Sequence, residues 1–124
     1  MNKKRPVYLN PLQIRLPLPA LISILHRISG ALLFLALPLL LLMLQYSLHS
    51  EESYARLLEA LQNPLSKLFL LVVLWGLIQH LCSGIRHLAL DMHHGIKLTQ
   101  ARSSSRWVMI VSLLLTLFAG MKLW

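Results

Sequence analysis

Three long stretches of the chain carry almost no polar side chains, and the polar residues gather between them. The first runs from Ile28 to Leu48, and its helix is expected to begin earlier, near Pro19. The second runs from Pro64 to about His87, and the third from Trp107 to Trp124 with a lead-in from about residue 104. The apolar runs are continuous rather than alternating, which excludes membrane-spanning strands. Each is about the 20 residues a helix needs to cross a bilayer. The pattern therefore predicts an all-α membrane protein with three spans, at about 19–48, 64–87 and 104–124, in an up-down bundle. An N-terminal arm, 1–18, precedes them, and the whole of 1–124 reads as one membrane domain. Pro6, Pro11, Pro17 and Pro19 punctuate the arm, so it is expected to be extended or broken. Pro38 inside the first span predicts a kink, which neighbouring helices can accommodate. No secretory signal or mitochondrial transit peptide is expected, because the first apolar run starts late and the arm is short and lacks Ser before it.

Composition agrees. The 124 residues are 56% hydrophobic and 13% charged, with mean hydropathy +0.65. Too few polar side chains exist to coat a soluble globule, and too many apolar ones for a disordered chain. A single cysteine excludes an intramolecular disulfide framework, a cysteine-rich zinc site and an iron–sulfur cluster held by this chain alone.

Charge first complicates the picture. Twelve Lys and Arg stand against four Asp and Glu, net +8, which raises the question of nucleic acid. Position answers it. Lys3, Lys4, Arg5, Arg15 and Arg27 precede the first span with no acid among them. The first loop is acidic, with Glu51, Glu52 and Glu59 against Arg56. The second is basic, with Arg86, Lys97, Arg102 and Arg106 against Asp91. This is the positive-inside pattern, placing the N-terminus and second loop in the cytoplasm and the C-terminus outside. Lys67 and Lys122 lie near the opposite face, but most of the excess sits at the cytoplasmic one, so topology explains the basicity and nucleic acid is not expected as a partner. Trp107 and Trp124 mark the two ends of span three, as interfacial aromatics do.

Against this background His80 stands out. It lies inside span two, about 9 Å along the helix from Arg86 at about 1.5 Å per residue. Ionisable groups at such depth mark function, and a neutral imidazole in an apolar bundle suits haem iron. Gly76, His80 and Gly84 share one helix face. That surface could receive a porphyrin or a closely packed helix. None of the other histidines, His26, His49, His87, His93 and His94, lies deep on a second span. A second axial ligand would have to come from another chain. Three helices also enclose a haem poorly, so a membrane partner is expected.

Ser23, His26, Arg27 and Gly30 form a second one-faced set where the arm enters the membrane. An arginine here can simply snorkel to lipid phosphate. Facing inward, Ser23 could instead donate a hydrogen bond to a ligand carbonyl, with Arg27 stabilising negative charge on its oxygen, as quinone reduction requires. His26 and Arg27 would also suit haem propionates. A third cluster, Arg86, His87, Asp91, His93 and His94, lacks the carboxylates and thiolates of a cation site. Loose Arg86–Asp91 pairing, interfacial contacts and proton delivery are the readings it supports. Cys82 reads as a small apolar packing residue.

The arm "RPVYLNPLQIRLPLPALISILHRISG" and the segment "HLCSGIRHLALD" resemble the cytochrome b556 membrane-anchor subunits of succinate dehydrogenase. That family carries S-x-x-H-R-x-[ST]-G entering span one and H-x-x-x-G-x-R-H-x-x-x-D on span two. Both occur here in order, and the likeness covers essentially the whole chain. It implies that His80 is an axial ligand of haem b, with the second ligand from a partner anchor subunit that completes the bundle. It implies that Ser23 and Arg27 line a ubiquinone site, that His26 and Arg27 lie near the propionates, and that Asp91 is an acid of proton uptake. An iron–sulfur subunit and a flavoprotein would carry the succinate chemistry, and a bacterial inner membrane would house the complex. His93 and His94 depart from the family pattern and receive no role.

Two alternatives stand beside this reading. A haem-free quinol anchor of a fumarate reductase would have no need of a buried histidine between glycines. A non-redox channel, transporter subunit or scaffold would carry polar stripes along several helices, and spans one and three show few polar residues beyond Ser112 and Thr116.

Overall fold

The structure, a computed structural model, describes residues 16–123. Most of the arm, with Lys3, Lys4, Arg5, Pro6, Pro11 and Arg15, lies outside the described residues, as does Trp124. Four helices follow in order: α1 (Leu18–Ser47), α2 (Glu51–Leu61), α3 (Pro64–Asp91) and α4 (Leu98–Leu123). Helices α1, α3 and α4 are long and apolar enough to cross a membrane. Helix α2 links α1 to α3 and a short turn links α3 to α4, so the three alternate in direction. Helix α3 is central, packing mainly against α1 and α4, which touch each other less. The start of α1, the end of α3 and the start of α4 therefore share one end of the bundle, the basic end.

Local signals set the boundaries. Pro17 caps α1, and Pro19 falls in its first turn, where a missing N–H costs nothing. The helix continues through Pro38. Asn63 Oδ1 accepts from the Leu65 N–H at 2.9 Å and Pro64 opens α3. Helix α3 runs to Asp91 and α4 starts at Leu98, both extending beyond the apolar runs. The reason is that intrahelical bonding does not stop at a membrane edge, so hydropathy marks the spans but not the helix ends.

Helix α2 replaces what the charge pattern suggested was only an acidic loop. Ser50 Oγ accepts from the Ser53 N–H at 3.1 Å, a cap worth about 1 kcal/mol. Glu51 and Glu52 occupy the first turn, favourable to the helix dipole. Ser53 is buried, and α2 packs against the adjoining ends of α1 and α3.

The packing inverts that of a soluble protein. Phe34 and Leu35 are 76% and 73% exposed, whereas Ser29, Gln79, Ser83, Ser105 and Ser112 have no exposed surface. Large apolar side chains face the surroundings, and small or hydrogen-bonded polar ones fill the seam. This is how membrane helices associate, because lipid gives no hydrophobic reward for burying leucine. At the α3–α4 seam, Ser112 Oγ donates to Gln79 Oε1 at 2.7 Å and Gln79 Nε2 donates to Ser83 Oγ at 3.0 Å. Thr116 Oγ1 donates to the Ser112 carbonyl at 2.7 Å.

Candidate functional site

His80 meets α1 at the basic end. A carbonyl can only accept, so the His80 Nδ1–H donates to the His26 carbonyl at 3.1 Å. Ser29 Oγ, which donates to the same carbonyl at 2.9 Å, lies 3.4 Å from that nitrogen. In the neutral ring the contact with the His26 carbonyl selects the Nδ1–H tautomer and leaves the lone pair on Nε2. This nitrogen has no hydrogen bond among the described residues, yet it is not a buried orphan; it reaches accessible surface. An imidazole anchored through Nδ1 with a free Nε2 is poised to ligate a metal.

The other histidines of the site are arranged by stacking. The His26 ring lies against His80, centroids 4.2 Å apart and planes 13° from parallel. His87 lies 4.9 Å from His26 at 22°, and its Nδ1–H donates to the Ser83 carbonyl at 2.7 Å. Sequence alone left His87 among the surface cluster after Arg86. The structure instead brings it to His26 and His80.

The glycines serve the approach of helices. A Cβ on Gly76 would lie 2.8 Å from Leu32 Cδ2, and one on Gly84 would lie 3.5 Å from His26 Nε2. From α1, a Cβ on Gly30 would lie 3.0 Å from His80 Cε1. Gly76 and Gly84 both face α1, and at Gly76 the approach of Leu32 leaves no room for a side chain.

Ser23 and Arg27 stand one turn apart on the flank of α1 beside His26, Ser23 half-buried and Arg27 exposed. They share the basic end with His80 but stay open to whatever covers that flank. Asp91 is exposed at the end of α3. It does not pair with Arg86. Helix α4 approaches more closely, so Arg86 Nε donates to Ser104 Oγ at 3.0 Å and an Arg86 terminal nitrogen donates to the Ala101 carbonyl at 3.3 Å.

His93 and His94 build a turn. The His93 N–H donates to the Leu90 carbonyl at 2.9 Å and the His94 N–H to the Ala89 carbonyl at 2.9 Å. His93 has φ 62° and Gly95 φ 76°. Paired bonds of this kind with a left-handed residue terminate helices, and histidine is among the residues enriched in that conformation. No three His, Cys, Asp or Glu side chains among the described residues are arranged for a metal ion.

Two residues escaped the sequence reading. Ser29 was visible inside its motif but without a role, and Gln79 was hidden as one amide in an apolar run. Its spacing from Ser83, one helical turn, is the signal that could have exposed it.

Fold and site define a multi-pass α-helical membrane protein whose central helix presents an anchored histidine with one free nitrogen. Residues 1–119 match the succinate dehydrogenase/fumarate reductase transmembrane subunit family, and the chain belongs to that family. It is 38% identical over 125 residues to the succinate dehydrogenase cytochrome b556 subunit of Coxiella burnetii, covering all of both chains. The subunit of the same name from Rickettsia felis is 32% identical over 92% of this chain and 89% of its own. That of Paracoccus denitrificans is 33% identical over 82% of this chain and 78% of its own.

Proposed function

We propose that this chain holds haem b through His80 Nε2 and helps form the quinone-reducing site of a succinate:ubiquinone oxidoreductase. The observation that carries the proposal is the free, accessible Nε2 of a histidine whose Nδ1–H is fixed on a backbone carbonyl. The cytochrome b556 names of the relatives point the same way. Bound haem b would supply a one-electron centre. The chain's own part is to present the imidazole in one tautomer and orientation.

A second protein ligand to the haem would come from a partner anchor subunit, since the His26 and His87 rings are engaged in stacking within this chain. His26 and Arg27, at the same end, receive the anionic propionates. Ser23 donates to a quinone carbonyl, and Arg27 stabilises the negative charge that builds on that oxygen during reduction. Asp91, exposed at the helix end, takes up protons.

Succinate oxidation to fumarate releases two electrons and two protons, and quinone reduction to quinol consumes two of each. One cysteine and no dinucleotide-binding fingerprint in 124 residues leave the first half to the flavoprotein and iron–sulfur subunits. The basic end faces the cytoplasm, where those subunits dock, and the C-terminus faces the periplasm. A reduced-minus-oxidised spectrum of the complex purified through this chain tests the reading. A b-type α-band is expected. Quinone reduction without such a band would identify a haem-free anchor instead.

A further inference from the structure

A second feature lies on the other side of α3. Arg86 is 7% exposed, near the basic end of a membrane helix. Its two hydrogen bonds go to neutral acceptors, Ser104 Oγ and the Ala101 carbonyl. The Arg56–Glu52 ion pair lies at the opposite end, and neither contact of Arg86 is to a carboxylate. The guanidinium therefore has no counter-charge from this part of the chain. An uncompensated charge at such a site is costly.

Arg86 borders a cleft of about 380 Å³ between α3 and α4, and the turn residues His94 and Gly95 also line it. Its polar wall is Arg86, Ser104 and His94. Its remaining wall is apolar and includes Cys82, Ile85, Ala89 and Val108. Ile85 is 61% exposed, so the cleft opens on the outer surface of the bundle rather than into its seam. Ala89 follows His80 by nine positions, roughly 180° around a helix turning about 100° per residue. The cleft thus faces away from the His26–His80 stack.

We propose that this cleft binds an anionic membrane phospholipid, its phosphate on the Arg86 guanidinium and an acyl chain along Cys82, Ile85, Ala89 and Val108. Three observations select this ligand. The charge calls for an anionic oxygen, and the guanidinium fork matches phosphate. The apolar wall calls for a hydrocarbon chain joined to that anion. The depth, near the end of α3 with Lys97, Arg102 and Arg106 in the following segment, is that of a headgroup, and basic recesses between membrane helices hold such headgroups.

The test uses the full chain with its co-purifying subunits, extracted in detergent and incubated with phosphatidylglycerol. Bound lipid is counted by native mass spectrometry. One retained phosphatidylglycerol is expected. Arg86→Gln should lower its retention at least about tenfold, the loss of one hydrogen-bonded charge. Ala89→Phe, which keeps the charge but fills the apolar wall, should do the same, and it carries the test if Arg86→Gln fails to fold. Circular dichroism and gel filtration monitor folding. Leu117→Phe, an exposed change elsewhere on α4, should leave retention unchanged. Equal retention by wild type and both cleft variants would overturn the proposal. Displacement by inorganic phosphate at equal concentration would also overturn it, assigning a soluble anion. Loss of a co-purifying subunit from Arg86→Gln, with no lipid on the wild type, would assign the charge to a protein carboxylate.

Discussion

His80 and His26 are joined twice. Their rings stack at 4.2 Å, and the His80 Nδ1–H donates to the His26 carbonyl at 3.1 Å. The side chain proposed to hold iron is thus oriented by the backbone of the helix proposed to hold propionates and quinone. A movement of α1 at this point is transmitted directly to the free nitrogen on α3.

Replacing the ligand is the first consequence. His80→Leu should abolish or shift the b-type α-band while the chain still inserts, because the α3–α4 seam is held by Gln79, Ser83 and Ser112 and does not involve His80. Difference spectroscopy of membranes checks this. An unchanged spectrum would place the ligand on another residue.

Gly30 offers a subtler probe. A methyl there would sit 3.0 Å from His80 Cε1 and 3.3 Å from its Nδ1. Gly30→Ala must push the ring and disturb its bond to the His26 carbonyl without removing the ligand. The expected outcome is retained haem with an altered midpoint potential, and a stability loss of about 1–3 kcal/mol from overpacking. Redox titration and thermal melting read the two effects. No change in either would show that α1 yields freely at this contact.

The spans were legible because membrane helices are written in continuous apolar runs, a signal that needs no tertiary context. His80 stands out in the sequence because a polar group in such a run is costly, and Ser23, His26 and Arg27 because they share one helical face where the arm enters the membrane. Helix α2 was not, since its eleven residues are about half polar and its stability depends on the Ser50 cap and on contacts with α1 and α3. The partner of Arg86 could not be read either. Asp91 was nearby in sequence, but the choice of Ser104 follows from where α4 returns. His93 shows the same limit, because a left-handed turn residue is recognised by its φ and not by its chemistry.

That turn makes its own prediction. Glycine adopts φ 62° without the steric penalty, and a β-branched residue bears it in full. His93→Gly should therefore keep or raise stability, by up to about 1 kcal/mol. His93→Val should lower it by about 1–2 kcal/mol. Thermal melts in detergent measure both. If His93→Gly abolished quinone reduction while the melt stayed unchanged, the residue would have a chemical role beyond the turn.

Gln79 ties α3 to α4 from the position next to His80. Gln79→Leu removes the acceptor of Ser112 and the donor to Ser83. Ser112 keeps its second bond, to the Met109 carbonyl at 3.1 Å, so its hydroxyl is not left unpaired. Interhelical bonds of this type contribute about 0.6 kcal/mol and at most about 1.7. A small loss of thermal stability is expected. A loss of several kcal/mol would mean that the network acts as a unit.

Arg27 separates the two halves of the proposed reaction. It is exposed on the flank of α1, beside His26 but outside the ring stack. Arg27→Leu should leave the helices and the His80 bond intact. Succinate oxidation with an artificial soluble acceptor should proceed at the wild-type rate, since that chemistry belongs to other subunits. Ubiquinone reduction should fall about 10-fold to 100-fold, the kinetic equivalent of one charge-assisted hydrogen bond lost at the reacting oxygen. Arg27→Lys keeps the charge but not the guanidinium fork, so it should recover part of the rate. If both variants reduced ubiquinone like the wild type, Arg27 would be only a snorkelling residue, and the quinone site would have to be sought elsewhere.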